Sequence, residues 1–292
     1  MHSSFDLDQF IDQALTEDVG SGDLTASALF DDALRARGTL RLREEGVCAG
    51  IDVALRVFER LDGDVSIRAC HEDGDEVGAG AMVGEVEGAA RTVVTGERVA
   101  LNLLARLSGI ATLTRRFVQE VEGTGVEIVD TRKTTPLLRA LEKHAVRMGG
   151  GVNHRFGLFD AILVKDNHLD LIGARSSAER MREAARKSIA SVPEGTFVQI
   201  EVETIEEAVA VAQEGVDSIL FDNFRPDELE EAVQRARESA GARRLVLEAS
   251  GGLNLQTARL FAMTGVDRMS IGALTHAARS LDVTLEIERV AL

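Results

Sequence analysis

The sequence predicts an α/β protein built in two parts, a small antiparallel sheet with helices and then a parallel α/β barrel. Two observations predict it. Six short apolar, β-rich runs recur between Val126 and Ile271 with helical segments between them, as βα units of 21–36 residues. Before them, from about Arg35 to Thr95, apolar residues alternate with polar ones, as in strands with one face in water. The 292 residues, 45% of them hydrophobic, provide for a sizeable core.

The elements follow in order. Asp6 to Leu15 reads as a helix with Phe10, Ile11 and Leu15 on one side, and Glu17 to Thr25 as a turn-rich loop. Thr39–Arg43, Val65–Ala69 and Met82–Glu87 read as strands. A helical stretch runs from Gly96 to about Val121, with Val99, Leu101, Leu103, Leu104, Leu107 and Ile110 apolar and a break expected at Ser108-Gly109. The six runs are Val126–Val129, Ala161–Val164, Phe197–Ile200, Ser218–Phe221, Arg244–Leu247 and Arg268–Ile271. Read as free of polar alternation, they suit strands buried on both faces. Pro136 is expected in the first turn of a helix that Gly149 ends. Ser176 with Glu179, and Thr204 with Glu207, fit capping boxes, and Gly215 and Gly265 fit helix ends. Six units are fewer than the eight of a closed barrel, so a doubly wound sheet is the alternative.

Composition excludes several classes. A formal net charge of -16 disfavours nucleic acid and anionic membranes as partners. No apolar run approaches the about 18 residues of a membrane span, and no signal peptide is expected. Cys48 and Cys70 make no disulfide framework or metal-ligand pattern; two buried thiols in a reducing cytoplasm are expected. Of 33 basic residues, 29 are Arg and 4 are Lys, a balance that reads as halophilic adaptation to a salty cytoplasm. The segment from Asp130 to His168 runs against the trend, with seven Lys or Arg against four Asp or Glu and three of the four lysines. Ordinary ion pairs along a helix explain Lys143 or Arg147 but not the whole cluster.

In an α/β barrel the active site lies at the C-terminal ends of the strands. The first run leads into Asp130-Thr131-Arg132-Lys133, the second into Lys165-Asp166-Asn167-His168, and the third into Glu201. The fourth leads into Asp222-Asn223, the fifth into Glu248-Ala249-Ser250-Gly251-Gly252, and the sixth into Gly272-Ala273. Gly149 to Arg155 lies between the first two. Arg132, Lys133, Arg155, Lys165 and His154 make a cationic group suited to a polyanion, since Arg grips planar oxyanions in a fork and Lys acts as a compact charge. Ser250-Gly251-Gly252 and Ile271-Gly272-Ala273 offer backbone N–H groups for a phosphate. Glu201, Asp222 and Glu248 suit ribose hydroxyls or a divalent metal. His168 and His276 read as structural, and Glu203 is expected to point away from the site.

Several blocks resemble the quinolinate phosphoribosyltransferase family. They include Asp130 to Pro136, Gly149 to Arg155, Val164 to His168, Glu17 to Thr25, Glu97-Arg98 to Thr112, Leu220 to Phe224 and Glu248 to Gly252. The resemblance runs from about Phe10 to Leu281, collinear throughout. It implies an N-terminal α/β sandwich over residues 1–110 and an incomplete parallel α/β barrel, of the type II phosphoribosyltransferase kind, over 111–275. It also implies a C-terminal tail, 276–292, packed back on the first domain. It implies the activity as well: quinolinate and phosphoribosyl pyrophosphate give nicotinate mononucleotide, CO₂ and pyrophosphate, with Mg²⁺, in NAD synthesis. By the same resemblance Thr131, Arg132, Lys133, His154, Arg155 and Lys165 line the anion site. Glu201 and Asp222 face ribose and metal, and Ser250 to Gly252 with Ile271 to Ala273 hold the 5′-phosphate. Arg98 would enter from the neighbouring subunit of a cytoplasmic homodimer or larger oligomer. A paralogue associated with molybdenum transport, using another acceptor, is the nearest alternative. A lyase with Lys165 as a Schiff-base amine and a non-catalytic ligand sensor are remoter ones.

Overall fold

The computed structural model describes residues 5–173 and 178–291. The chain begins with α1 (Leu7–Val19), α2 (Leu24–Leu29), β1 (Arg35–Leu42), β2 (Gly46–Val47), α3 (Ile51–Leu61), β3 (Ser66–Ala69), β4 (Glu76–Val77), β5 (Met82–Ala89) and α4 (Ala90–Glu120). It continues through β6 (Glu127–Val129), α5 (Arg139–Met148), β7 (Ile162–Val164), α6 (Asp166–Leu171), α7 (Ala178–Ala190), β8 (Val198–Val202) and α8 (Ile205–Ala212). It closes with β9 (Ser218–Asp222), α9 (Pro226–Ala240), β10 (Val246–Ser250), α10 (Leu255–Ala262), β11 (Arg268–Ser270), α11 (Ala273–His276) and β12 (Val283–Val290). The chain parts into two compact units. One holds residues 1–115, 134–150 and 274–292, and the other 116–133 and 151–273. Helix α5, read from the sequence among the barrel helices, belongs to the first unit.

The first unit is built on an antiparallel sheet in the order β12-β1-β5-β3. Burial alternates along β1, with Ala36, Leu40 and Leu42 inward. The tail strand β12 pairs with all of β1, from Arg35↔Val290 to Leu42↔Val283. Three expectations are corrected here. The turn-rich loop is shorter than expected, because α1 runs on to Val19 and α2 begins at Leu24, its start capped by Asp23 accepting from Ala26 N. The strand-like stretch contains α3, which buries Ile51, Val53, Ala54, Leu55, Val57 and Phe58. The long helix starts six residues early, at Ala90, and does not break at Ser108-Gly109. Ser108 Oγ bonds Ala49 N at 3.1 Å and Ala49 O at 3.2 Å, and Gly109 leaves room for the Arg279 carbonyl against the helix. The pair marks a close approach of backbones rather than an interruption. Cys48 is fully buried, and burial pushes its thiol up to about 12; Cys70, expected to be buried, is partly exposed.

The second unit holds six parallel strands in the order β6-β11-β10-β9-β8-β7. From β7 to β11 neighbours in space are neighbours in sequence, and β6 closes beside β11. A doubly wound sheet would reverse its order at a switch point. This order does not, and it describes a barrel left open between β6 and β7, with Val152 bridging Val129 at the gap. Thr204 Oγ1 accepts from Glu207 N at 3.2 Å, while Glu207 returns a bond to Glu203 N, not to Thr204 N. Gly215 and Gly265 take positive φ just past α8 and α10. Pro136 sits in the turn before α5 rather than in its first turn. Ser176 lies outside the described residues. No described helix is long and apolar enough to cross a membrane.

Candidate active site

Three strands of the second unit, β8, β9 and β10, carry polar residues on one face, a correction to the all-apolar reading. Gln199 and Glu201 on β8, Ser218 and Asp222 on β9, and Glu248 and Ser250 on β10 each share a face by the two-residue period. In register Gln199 stands opposite Ser218, Glu201 and Glu248 both opposite Leu220, and Ser250 opposite Asp222. Hydrogen bonds then join Gln199, Ser218 and Glu248 in a deeper layer, with Asp222 and Ser250 nearer the strand ends. In the deeper layer Gln199 Nε2 donates to Ser218 Oγ and to Glu248 Oε2, each at 3.0 Å, and all three residues are fully buried.

His154 joins this layer from the loop after α5. Its backbone N–H donates to Asp130 Oδ1 at 2.9 Å, and its Nδ1 accepts from Arg155 N at 2.7 Å. An N–H aimed at Nδ1 leaves that nitrogen unprotonated, so the proton sits on Nε2 and is donated to Gln199 Oε1 at 2.9 Å. Glu248 Oε1 lies 3.7 Å from the same Nε2 and is buried without a hydrogen bond.

Cations gather toward the strand ends. Thr131 Oγ1 accepts from Lys133 N at 3.0 Å and shapes the loop after β6. Arg155 Nη1 donates to Ala161 O at 3.0 Å. Burial, and then the like charge of Arg132, pull the Arg155 guanidinium below its usual value, against the opposing charge of Asp160. Arg132 Nε is itself buried without a hydrogen-bond partner. Two half-buried guanidiniums near enough to repel one another, one with an orphaned buried donor, form a site suited to an anion.

Beside them Lys165 Nζ pairs with Glu201 Oε2 at 2.8 Å, and Asp166 N donates to Glu201 Oε1 at 3.3 Å. The Asp222 carboxyl is raised above its ordinary range, first by burial and then by the charge of Glu201, while Lys165 and a bond with Ser250 oppose the shift. Asn223 follows with φ 59, its N–H on Ser250 O at 2.9 Å and its Nδ2 on Asp222 Oδ2 at 2.7 Å. Gly251 has φ +89, and a Cβ there would overlap the Asn223 side chain. Gly252 is also left-handed, with open space where a Cβ would stand.

Sequence profiles decide the family. The profile of the quinolinate phosphoribosyl transferase N-terminal domain matches residues 23–108, and that of the C-terminal domain matches 110–286. The chain belongs to the quinolinate phosphoribosyl transferase family. It is 43% identical over 280 residues to the nicotinate-nucleotide pyrophosphorylase [carboxylating] of Mycobacterium leprae, covering 95% of each chain. It is 38% identical to a probable enzyme of that name from Bacillus subtilis, covering 96% of this chain and 93% of that one. The crystal structure of NadC from Streptococcus pyogenes superposes with a TM-score of 0.88 at 39% identity, over 98% of this chain and 97% of that one.

In this member of the quinolinate phosphoribosyl transferase family the second unit collects most residues singled out from sequence. Arg132 and Arg155 are coupled by charge, as are Lys165, Glu201, Asp222 and Ser250. Other expected residues take different positions. The His154 ring is committed at both nitrogens within the deeper layer. The Ile271 N–H is taken by Val129 O at 2.9 Å and its side chain is buried, so it offers no donor. Gly272 and Ala273 are half-buried at the start of the four-residue α11. Arg98 is an exposed residue of α4 in the first unit, 3.6 Å from Glu97. His168 Nδ1 accepts from Lys165 N at 2.9 Å and ties down the start of α6. Sequence reading missed Gln199 and Ser218, gave Asn223 no role beyond its place at a strand end, and set aside Glu203, whose charge also raises Asp222. The signal was there: polar residues two apart in strands otherwise apolar.

Among the described residues no group of three or more His, Cys, Asp or Glu is placed to hold a metal ion. Glu201 and Asp222 fit a hard divalent cation as a pair of oxygen donors whose mutual repulsion such a cation relieves. Water and phosphate oxygens would complete its shell.

Proposed function

We propose that the protein makes nicotinate mononucleotide from quinolinate and phosphoribosyl pyrophosphate, releasing pyrophosphate and CO₂. The observation that carries the reading is the half-buried pair Arg132 and Arg155 with its orphaned guanidinium nitrogen, in the unit whose strand ends also carry Glu201 and Asp222. The activity named for relatives that match nearly the whole chain supports it.

Arg132, Lys133 and Arg155 grip the quinolinate carboxylates and the pyrophosphate, bidentately where guanidiniums meet them. Thr131 fixes the loop that carries Lys133. His154, through Nδ1, holds the Arg155 backbone in place. Glu201 and Asp222 face the anomeric carbon and favour the positive charge that develops as pyrophosphate leaves. Lys165 neutralises Glu201 until substrate arrives and then meets the departing charge. Gly251, Gly252 and Ala273 offer backbone to the 5′-phosphate, with Ser250 and Gly272 beside them. The pyridine nitrogen attacks the anomeric carbon as the bond to pyrophosphate breaks; the positive nitrogen of the resulting pyridinium stabilises the ylide-like carbon left when the 2-carboxylate departs as CO₂, and that carbon then takes a proton from water. No protein nucleophile is needed. Mg²⁺, when bound through Glu201, Asp222 and phosphate oxygens, supplies neutralisation of pyrophosphate charge. The working form is a cytoplasmic homodimer in which Arg98 completes the partner's site.

The test is direct. Purified protein with quinolinate, phosphoribosyl pyrophosphate and Mg²⁺ should form mononucleotide, CO₂ and pyrophosphate in equal amounts. Nicotinate in place of quinolinate should give no CO₂. Absence of mononucleotide from quinolinate, or a preference for another acceptor, would overturn the reading.

A further inference from the structure

The opposite end of the six-stranded sheet, where β6, β10 and β11 begin, holds an open cavity of about 310 Å³. Arg237, Arg243, Arg244 and Arg268 line it together with Glu127 and Asp267. Four cations less two carboxylates leave a charge of +2, in a chain whose total is -16. This is the face of a barrel that ordinarily serves stability, and massing guanidiniums there is unfavourable unless something compensates them.

The carboxylates compensate two of the four. Arg237 Nη2 donates to Asp267 Oδ1 at 2.9 Å, and Asp267 Oδ2 accepts from Leu247 N at 2.7 Å, which fixes the pair to β10. Arg268 Nε donates to Glu127 Oε2 at 2.7 Å between strands in register, leaving its terminal nitrogens without a partner among the described residues. Arg243 reaches only the carbonyl of Ala212. Arg244 is exposed and makes no hydrogen bond or ion pair among the described residues. Arg243, Arg244 and the terminal nitrogens of Arg268 thus border one concave space whose two carboxylates, Glu127 and Asp267, already hold Arg268 Nε and Arg237.

We propose that this cavity is a second anion site, for an anion carrying at least two phosphoryl groups. A single carboxylate would meet one fork, whereas linked phosphoryl groups present several oxygens and enough charge for three guanidiniums at once. A concave wall concentrates the field of those charges. The site is separate from the strand ends where catalysis is placed: β10 alone runs roughly 13 Å between the two, at about 3.3 Å per residue. Inorganic diphosphate and a nucleoside diphosphate share the required chemistry.

Calorimetric titration of the full chain with inorganic diphosphate tests this. Two equivalents should bind per chain, one at each end of the sheet. Arg244→Glu should weaken one of them by about tenfold or more and leave turnover with quinolinate intact. Arg132→Ala should remove the other. Tighter binding of ADP than of diphosphate at the Arg244-dependent site would name a nucleotide as the source, and the reverse the free anion. Binding, of one equivalent or two, that Arg244→Glu and Arg243→Gln both leave unchanged would overturn the proposal. Failure of the proposed catalytic activity would not affect the Arg244-dependent equivalent, so the two readings fail separately.

Discussion

Asp222 is held above the ordinary carboxylate range by burial and by the charge of Glu201, so in its ionised form it works against the fold. The sign follows from proton linkage. The folded state holds this proton more tightly than the unfolded chain, so stability falls as pH rises from the ordinary value of 3.8 through the raised one. Above that window the penalty persists, and under the proposed function it is offset by the charge Asp222 offers a developing cation. Asp222→Asn should therefore raise the thermal midpoint at neutral pH while lowering turnover by about a hundredfold. The gain should vanish in acid; a lower midpoint with normal turnover contradicts the assignment. At this scale the sequence disclosed residue types but not directions. It marked His154 as a cation near an anion, whereas the ring bonds Gln199 and the Arg155 N–H, because a loop's inward turn is set by partners distant in sequence.

Helices and strands were legible where their signals are local. All six runs became one parallel sheet because their apolar, β-branched residues need no distant partner to declare a buried strand. Helix α3 was not, because its start relies on a cap from elsewhere: Asp73 Oδ1 accepts from Gly50 N at 2.8 Å and Ile51 N at 3.0 Å. Burial would raise the Asp73 carboxyl, but His144 at 2.7 Å and these N–H groups hold it below its usual range. Arg106 and Glu142 escaped notice for the same reason. Glu142 is fully buried and accepts from Arg106 Nη2 at 2.8 Å, Thr135 N at 3.0 Å and Thr135 Oγ1 at 2.9 Å. Arg106 also binds the carbonyls of Thr275 and Ala278. Arg106→Ala strands a buried carboxylate and should cost about 3–5 kcal/mol in denaturant unfolding. A loss below about 1 kcal/mol would show that this network does not anchor α5.

The whole molecule sets a small cationic site within a surface of -16, and salt should act on the two in opposite ways. Screening relieves repulsion among surface carboxylates, so the folded CD signal should persist, with a rising thermal midpoint, from about 0.1 M into molar KCl. Loss of that signal at high salt would contradict a halophilic surface. If Arg98 completes the partner's site, mixing inactive Arg98→Ala and Lys133→Ala proteins should restore about a quarter of wild-type activity. Random exchange makes half the dimers mixed, each with one intact site. No recovery after verified exchange would place Arg98 elsewhere. The claim on which the rest stands is that Arg132 and Arg155 hold an acceptor anion, and quinolinate titration measures it. Wild-type protein should bind one equivalent per chain, with Arg132→Ala and Arg155→Ala each weakening it by at least about tenfold while remaining folded. Unchanged quinolinate affinity in both variants would contradict the account.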